Sequence, residues 1–154
     1  KVALVFQALS KRSGMTGCRS GPIVGDAEAI TALKRLRTAT GTASPEFVQA
    51  AAIAAWSDDE HARERREIFA AKRQILAQAF VEVGMQVVAS QAGLYMWGKV
   101  DDDLAMTDRL LGDGVVVSPG RFFGKGGEGY LRLALVPTLE ECEQAVEVLV
   151  ECLS

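Results

Sequence analysis

Residues 57–83 limit what this chain can fold into more than any other stretch. Ser57-Asp-Asp-Glu60 opens a long helix reaching about Val83, and Phe69, Arg73, Leu76, Phe80 and Val83 recur every three to four residues along it. Its first half is almost all charge, so that half must lie across a surface rather than inside a core. A helix of this length divides the chain. The best boundary lies within it, between a front segment and a compact rear domain.

Shorter elements fill both parts. Residues 2–7 read as a buried strand, 8–18 as a polar loop, 19–25 as a second strand, and 27–37 as an amphipathic helix capped by Asp26 with Ile30, Leu33 and Leu36 on one face. A polar link, 38–44, leads to an alanine-rich helix with Ser44 as N-cap and Pro45 at its first position. In the rear, strands are expected at 85–89, 94–100, 115–118 and 130–136, and a helix at 102–112 that Gly112-Asp-Gly114 stops. The glycine-rich stretch 119–129 reads as a loop. Thr138 and Glu141 form a capping box for a terminal helix. The alternation gives an α/β or α+β class.

Composition excludes several functions. A length of 154 residues supports a real core, and 49% hydrophobic with 24% charged residues reads as globular. The net charge of -3, with scattered basic residues, gives no nucleic-acid or membrane-surface footprint. No apolar run reaches the roughly 18 residues of a spanning helix, and no secretory signal is present, so the default location is cytoplasmic. Cys18, Cys142 and Cys152 fit neither a metal site nor a disulfide framework, and read as small, buried, reduced thiols. His61 is the only histidine, which leaves no His-cluster metal site and makes a Ser-His hydrolase a poor reading. In its charged surroundings it reads as a solvated surface residue. The strand that follows Lys1 at once reads as a chain starting in the middle of something.

Lys11 is the residue with chemistry. It follows Ser10 in a glycine-bearing loop after a strand, where neighbouring cations and partial burial can favour a neutral, nucleophilic amine. Arg12 and Arg19 are near enough in sequence to supply that bias and to bind an anion bidentately. A basic surface loop is the plainer alternative. Arg132, taken alone, reads as a plain edge-strand arginine.

The run Ser10-Lys-Arg-Ser-Gly-Met-Thr-Gly-Cys-Arg-Ser-Gly21 resembles the cofactor-attachment motif of class I and II pyridoxal-phosphate-dependent aminotransferases. Far downstream, Pro119-Gly-Arg-Phe-Phe-Gly124 with Gly-Glu-Gly-Tyr-Leu-Arg-Leu-Ala-Leu135 resembles that family's late carboxylate-binding segment. The resemblance covers essentially the whole chain. It implies that Lys11 attaches pyridoxal phosphate and moves the α-proton, that Arg19 holds the cofactor phosphate with Ser10 beside it, and that Arg132 binds the substrate carboxylate. It further implies a fold-type-I architecture: the end of a large cofactor domain over 1–57, a bridging helix over 58–83, and a small carboxy-terminal α/β domain over 84–154. Amino acids and 2-oxo acids would be the substrates. A homo-oligomer would be the assembly, with Thr42-Ala-Ser44 loosely matching a loop that reaches a neighbour's phosphate. Within the family the motif and the ending Leu-Val-Pro-Thr-Leu-Glu-Glu-Cys look most like succinyldiaminopimelate aminotransferases of lysine biosynthesis.

The departures matter too. Ala8 stands where the family usually has a phosphate-binding serine, Cys18 where an aromatic is common, and Pro22 inside a strand, where its missing N–H is a liability. The family's ring-pairing aspartate, stacking aromatic and glycine-rich phosphate loop are not found in this sequence. Two expectations follow. One is a piece of an aminotransferase that is inactive without its amino-terminal part. The other is a non-catalytic remnant serving as a structural or assembly module.

Overall fold

The structure is a computed structural model and describes residues 2–41 and 43–153. They form two compact units, one up to Arg65 and one from Arg66 onward. Thr42, part of the proposed neighbour-reaching loop, and Lys1 lie outside the described residues.

In the front unit, strand β1 (Leu4–Phe6) pairs antiparallel with β2 (Ile23–Gly25), Leu4 lying opposite Gly25 and Phe6 opposite Ile23. Backbone pairing runs on past both strands. The Gln7 N–H donates to the Pro22 carbonyl at 3.1 Å and the Leu9 N–H to the Ser20 carbonyl at 3.0 Å. Pro22 is thereby accommodated, because its carbonyl still accepts and only the bond its own N–H would make is lost. Gly21 is required between them: a Cβ there would stand 2.0 Å from the Gln7 carbonyl oxygen. The ladder strand is therefore shorter than the expected 19–25.

The expected loop at 8–18 is instead ordered into a helical turn, α1 (Leu9–Arg12), followed by a 3-10 turn at Thr16–Cys18. Leu9 is fully buried and pins the turn. Helix α2 (Ala27–Thr40) starts on the Asp26 carboxylate, which accepts from the Glu28 and Ala29 N–H groups. It runs three residues past its expected end, through the residues assigned to a polar link, and stops at Gly41 in the left-handed region (φ 64°). None of its residues is fully buried: Ile30 and Leu33 are half-buried and Leu36 is exposed. Helix α3 (Glu46–Ser57) has Pro45, not Ser44, at its N-cap, with no side-chain cap bond. Helix α4 (Glu60–Glu82) begins where Asp58 accepts from the Glu60 and His61 N–H groups, at 2.9 and 3.3 Å.

The rear unit is built on an antiparallel sheet, ordered β3 (Val87–Val88), β4 (Tyr95–Lys99), β6 (Tyr130–Ala134), β5 (Ser118–Pro119). The expected strand at 115–118 reduces to Ser118–Pro119, because the Val115 N–H is taken by the Leu110 carbonyl in the turn that ends α5 (Asp103–Gly112). One face of the sheet carries Met96, Leu131 and Leu133, which pack in one core with Leu76, Phe80, Leu110 and Leu149. Gly98 leaves room for Met85, whose sulfur would stand 2.4 Å from a Cβ at that position.

Helix α6 (Leu139–Leu153) closes this core, and its capping box forms as expected. The Thr138 N–H donates to Glu141 Oε2 at 2.6 Å, and the Glu141 N–H donates to Thr138 Oγ1 at 3.2 Å. Cys142 and Cys152 are buried, whereas Cys18 is only half-buried. Among the described residues no helix is long and apolar enough to cross a membrane, and no group of His, Cys, Asp and Glu can hold a metal.

Candidate functional site

Ser10 and Lys11 sit side by side on the single turn of α1, held between Leu9 in the core and the paired backbone of residues 20–22. Arg19 returns to them from the far side of the 3-10 turn. Its Nη1 lies 3.5 Å from the Ser10 hydroxyl and donates to the Thr16 carbonyl at 3.1 Å. Arg19 reaches this position with φ at 46°, in the left-handed region that disfavours a side chain. A cleft lined by Ala8, Ser10, Arg19, Ser20 and Gly21 opens at this point. Its donors are a guanidinium and hydroxyls, the set a phosphate monoester takes, with an exposed lysine on the same turn as Ser10. The residues present fit the phosphate end of pyridoxal phosphate. Ala8 lines the same cleft and adds no hydroxyl donor to it.

Arg12 does not share in this. Its guanidinium turns to the end of α3, donating to the Ala55 carbonyl at 2.5 Å, the Asp58 carbonyl at 3.1 Å and Asp59 Oδ1 at 2.5 Å, and it packs over the Trp56 ring. It fastens the lysine turn from behind, is paired with Asp59, and does not line the cleft. His61 is likewise not a solvated surface residue. Its Nε2 lies 2.9 Å from the Ser13 hydroxyl and its Nδ1 3.0 Å from Asp58 Oδ2, with the side chain mostly covered. The His61 backbone N–H, followed by its side chain, holds the Asp58 carboxyl below the usual carboxylate range despite some desolvation.

Arg132 lies in the rear unit on β6, an interior strand, so it is not an edge-strand arginine. Leu131 and Leu133 face the core, which sends Arg132 to the opposite face, across from Trp97 on β4 and Ser118 on β5. There its guanidinium carbon lies 4.3 Å from the centroid of Tyr95 and 4.0 Å from that of Phe123. Its Nε is buried without a hydrogen-bond partner among the described residues. A covered donor of this kind is costly unless an acceptor arrives, and an anionic ligand is the natural acceptor.

The loop before Arg132 hangs on one carboxylate. Asp103, fully buried at the start of α5, accepts from the Arg121 backbone N–H at 3.0 Å, from its Nε at 3.0 Å and its Nη2 at 2.6 Å, and from the Gly129 N–H at 3.5 Å. Bonding to the Arg121 side chain holds the Asp103 carboxyl far below the ordinary range, against the opposing effect of burial. Gly120 and Gly127 then meet backbone to backbone, with no space for a Cβ at either. Asp103, Arg121 and the aromatic pair were not singled out from sequence. The only available signals were three successive aspartates, 101–103, where one cap suffices, and an arginine inside a glycine-rich loop.

The sequence model of the family described as aminotransferase class I and II matches residues 1–149. An LL-diaminopimelate aminotransferase of Dehalococcoides mccartyi is 37% identical over 150 residues, which is 94% of this chain and 39% of that protein. The solved aminotransferase of Neisseria meningitidis superposes with a TM-score of 0.90 at 38% identity, covering 98% of this chain and 40% of that one. A Thermus thermophilus structure described as a probable N-succinyldiaminopimelate aminotransferase gives 0.87 at 30% identity, covering 97% and 42%. The chain spans 34% to 40% of the length of the curated relatives it matches.

Proposed function

Since the chain belongs to the class I and II aminotransferases, a pyridoxal-phosphate-dependent family with the fold-type-I architecture, we propose that it supplies part of a site that moves an amino group between an amino acid and a 2-oxo acid. The observation that carries this is the convergence of Ser10 and Arg19 beside Lys11 around a cleft. In this reading Arg19 and Ser10 hold the cofactor phosphate, Lys11 attaches the cofactor and carries the α-proton, and Arg132 orients the substrate carboxylate. Pyridoxal phosphate, when bound, supplies the electron sink for cleavage at the substrate α-carbon. Its ring-nitrogen partner and the remaining phosphate donors are assigned to the amino-terminal part of a longer enzyme.

Residues 1–57 are then the end of the cofactor domain, 58–83 the bridging helix and 84–154 the small domain, in a homo-oligomer. The substrate class proposed is a diaminopimelate-type amino acid, N-succinylated as in the Thermus thermophilus neighbour, with a role in lysine biosynthesis. The free form named for the Dehalococcoides mccartyi relative is the competing candidate.

Ala8 in the cleft favours a second reading, in which the chain is a non-catalytic remnant that has given up tight phosphate binding. Borohydride reduction in the presence of pyridoxal phosphate, followed by peptide mapping, separates the two. Label concentrated at Lys11 is the expected result. Label spread over several lysines, with Lys11 unremarkable, overturns the first reading.

A further inference from the structure

Arg132 is packed against two ring faces, and those rings are braced in turn. Tyr95 is its diagonal neighbour across the β4–β6 pair, where Trp97 stands directly opposite. Phe123 comes from the 3-10 turn Gly120–Phe123, which Asp103 anchors through Arg121. Trp97 meets Phe123 edge to face, with centroids 5.5 Å apart and planes at 78°. Two ring faces from two elements therefore lie against one cation, and a third ring, Trp97, braces one of them.

We propose that Tyr95 and Phe123 are positioning residues that turn Arg132 into an edge-only receptor, selective for a planar carboxylate presented in the plane of the guanidinium. This rests on the reading of Arg132 as the carboxylate arginine and goes beyond it by naming what orients that arginine and what the orientation rejects. All guanidinium hydrogen bonds lie in its plane, while its weakly hydrated faces stack on aromatic rings. With ring faces against it, the side chain gives up rotamer freedom before a ligand arrives, so less ordering remains to oppose binding. Its buried Nε supplies an in-plane donor without a protein partner among the described residues. The same packing hinders an aromatic group of a substrate from stacking on the guanidinium, leaving a carboxylate fork as the matching shape.

The test uses the 154-residue chain labelled with nitrogen-15 and reads the Arg132 Nε–H resonance, with succinate as the probe. In the unsubstituted chain the Arg132 side-chain protons should be displaced by the rings, and the resonance should move on addition of succinate. Phe123→Leu and Tyr95→Leu should each remove part of the displacement and weaken succinate about fivefold to thirtyfold, equivalent to ~1–2 kcal/mol. Phe123→Tyr should restore both.

Undisplaced, freely rotating Arg132 protons in the unsubstituted chain overturn the proposal without any variant, so a leucine variant that fails to fold leaves it open to refutation. In Arg132→Lys the response is read at the indole N–H of Trp97, which stands directly opposite residue 132. If Arg132→Lys abolishes the succinate-induced shift of that indole N–H but the leucine variants keep full affinity, the ring clasp is wrong and the carboxylate reading stands. If the unsubstituted chain shows no response at tens of millimolar, or the indole N–H responds equally in Arg132→Lys, the carboxylate reading fails and the clasp's function fails with it.

Discussion

Asp103 accepts from three donors of the single residue Arg121, its backbone N–H and two guanidinium nitrogens, and all of them reach a carboxylate with no solvent exposure. With the Gly129 N–H as a fourth donor, this carboxylate ties together the two ends of the loop that leads to Arg132. Replacing Asp103 with Asn keeps the size but removes the charge and one acceptor. We expect Asp103→Asn to speed hydrogen exchange at Arg121 and Gly129 and to lower the Tm. Unchanged exchange at both amides would show that the glycine contacts alone hold the loop.

The same carboxylate sets a pH dependence. Its folded pKa is depressed below the unfolded value of about 3.9, so its stabilising contribution is complete above that value and is lost as the pH falls toward the folded pKa. Acid unfolding curves of the wild type and of Asp103→Asn should therefore keep a constant separation above about pH 5 and draw together progressively as the pH falls below about 4. Parallel curves across that range would remove Asp103 as a source of acid sensitivity.

At Gly21 the expectation is steric. A Cβ there would lie 2.0 Å from the Gln7 carbonyl oxygen and 2.9 Å from the Ala8 Cα, both backbone atoms that cannot step aside cheaply. Gly21→Ala should force residues 7–9 and 20–22 apart, costing on the order of 1–3 kcal/mol, the range for overpacking. Loss of exchange protection at the Gln7 and Leu9 amides is the readout. Retained protection would mean that the close approach relaxes without consequence.

Arg12→Ala should loosen the lysine turn without touching the cleft that Ser10 and Arg19 line. It removes donors to Ala55, Asp58 and Asp59 and exposes the Trp56 ring. Hydrogen bonds to charged groups contribute about 1.5–3 kcal/mol each when desolvated, but Asp59 is almost fully exposed, so a total near the lower end is expected. Trp56 fluorescence should shift toward the red as the front unit opens. An unshifted spectrum with unchanged stability would make the clasp decorative.

The isolated chain should associate and should hold pyridoxal phosphate weakly. Phe6, Val24, Phe47 and Ile53 are more than half exposed on the front unit, and a two-stranded ribbon leaves strand edges open. Light scattering should show mass rising with concentration, and Phe6→Lys with Ile53→Lys should reduce it. Cofactor titration by absorbance should show weak binding and an amino-donor assay no turnover. Tight stoichiometric binding with turnover by a monomer would contradict the division of the site between this chain and an amino-terminal part.

Local signals in the sequence predicted local structure well. Asp26 before α2 and the Thr138–Glu141 box before α6 depend on neighbours within four residues, and both form as read. Val115–Val117 misled because β-branched residues favour a strand, whereas the turn closing α5 had already taken the Val115 N–H. Arg12 and His61 misled, and Asp103 was missed, for a different reason. Their partners lie at Ala55, Ser13 and Arg121, separations over which a sequence carries no periodicity. Lys11, Arg19 and Arg132 were singled out by motif, but the rings around Arg132 required the strand register to be visible.

Arg19 reaches Ser10 only by adopting φ of 46°, a conformation that glycine enters freely and a residue with a Cβ does not. Holding a side chain there costs roughly 1–2 kcal/mol, so Arg19→Gly is the substitution that folding by itself would choose. The arginine is thus a standing debt of the fold, and a stability-guided redesign of this segment would erase the guanidinium first while reporting an improved protein.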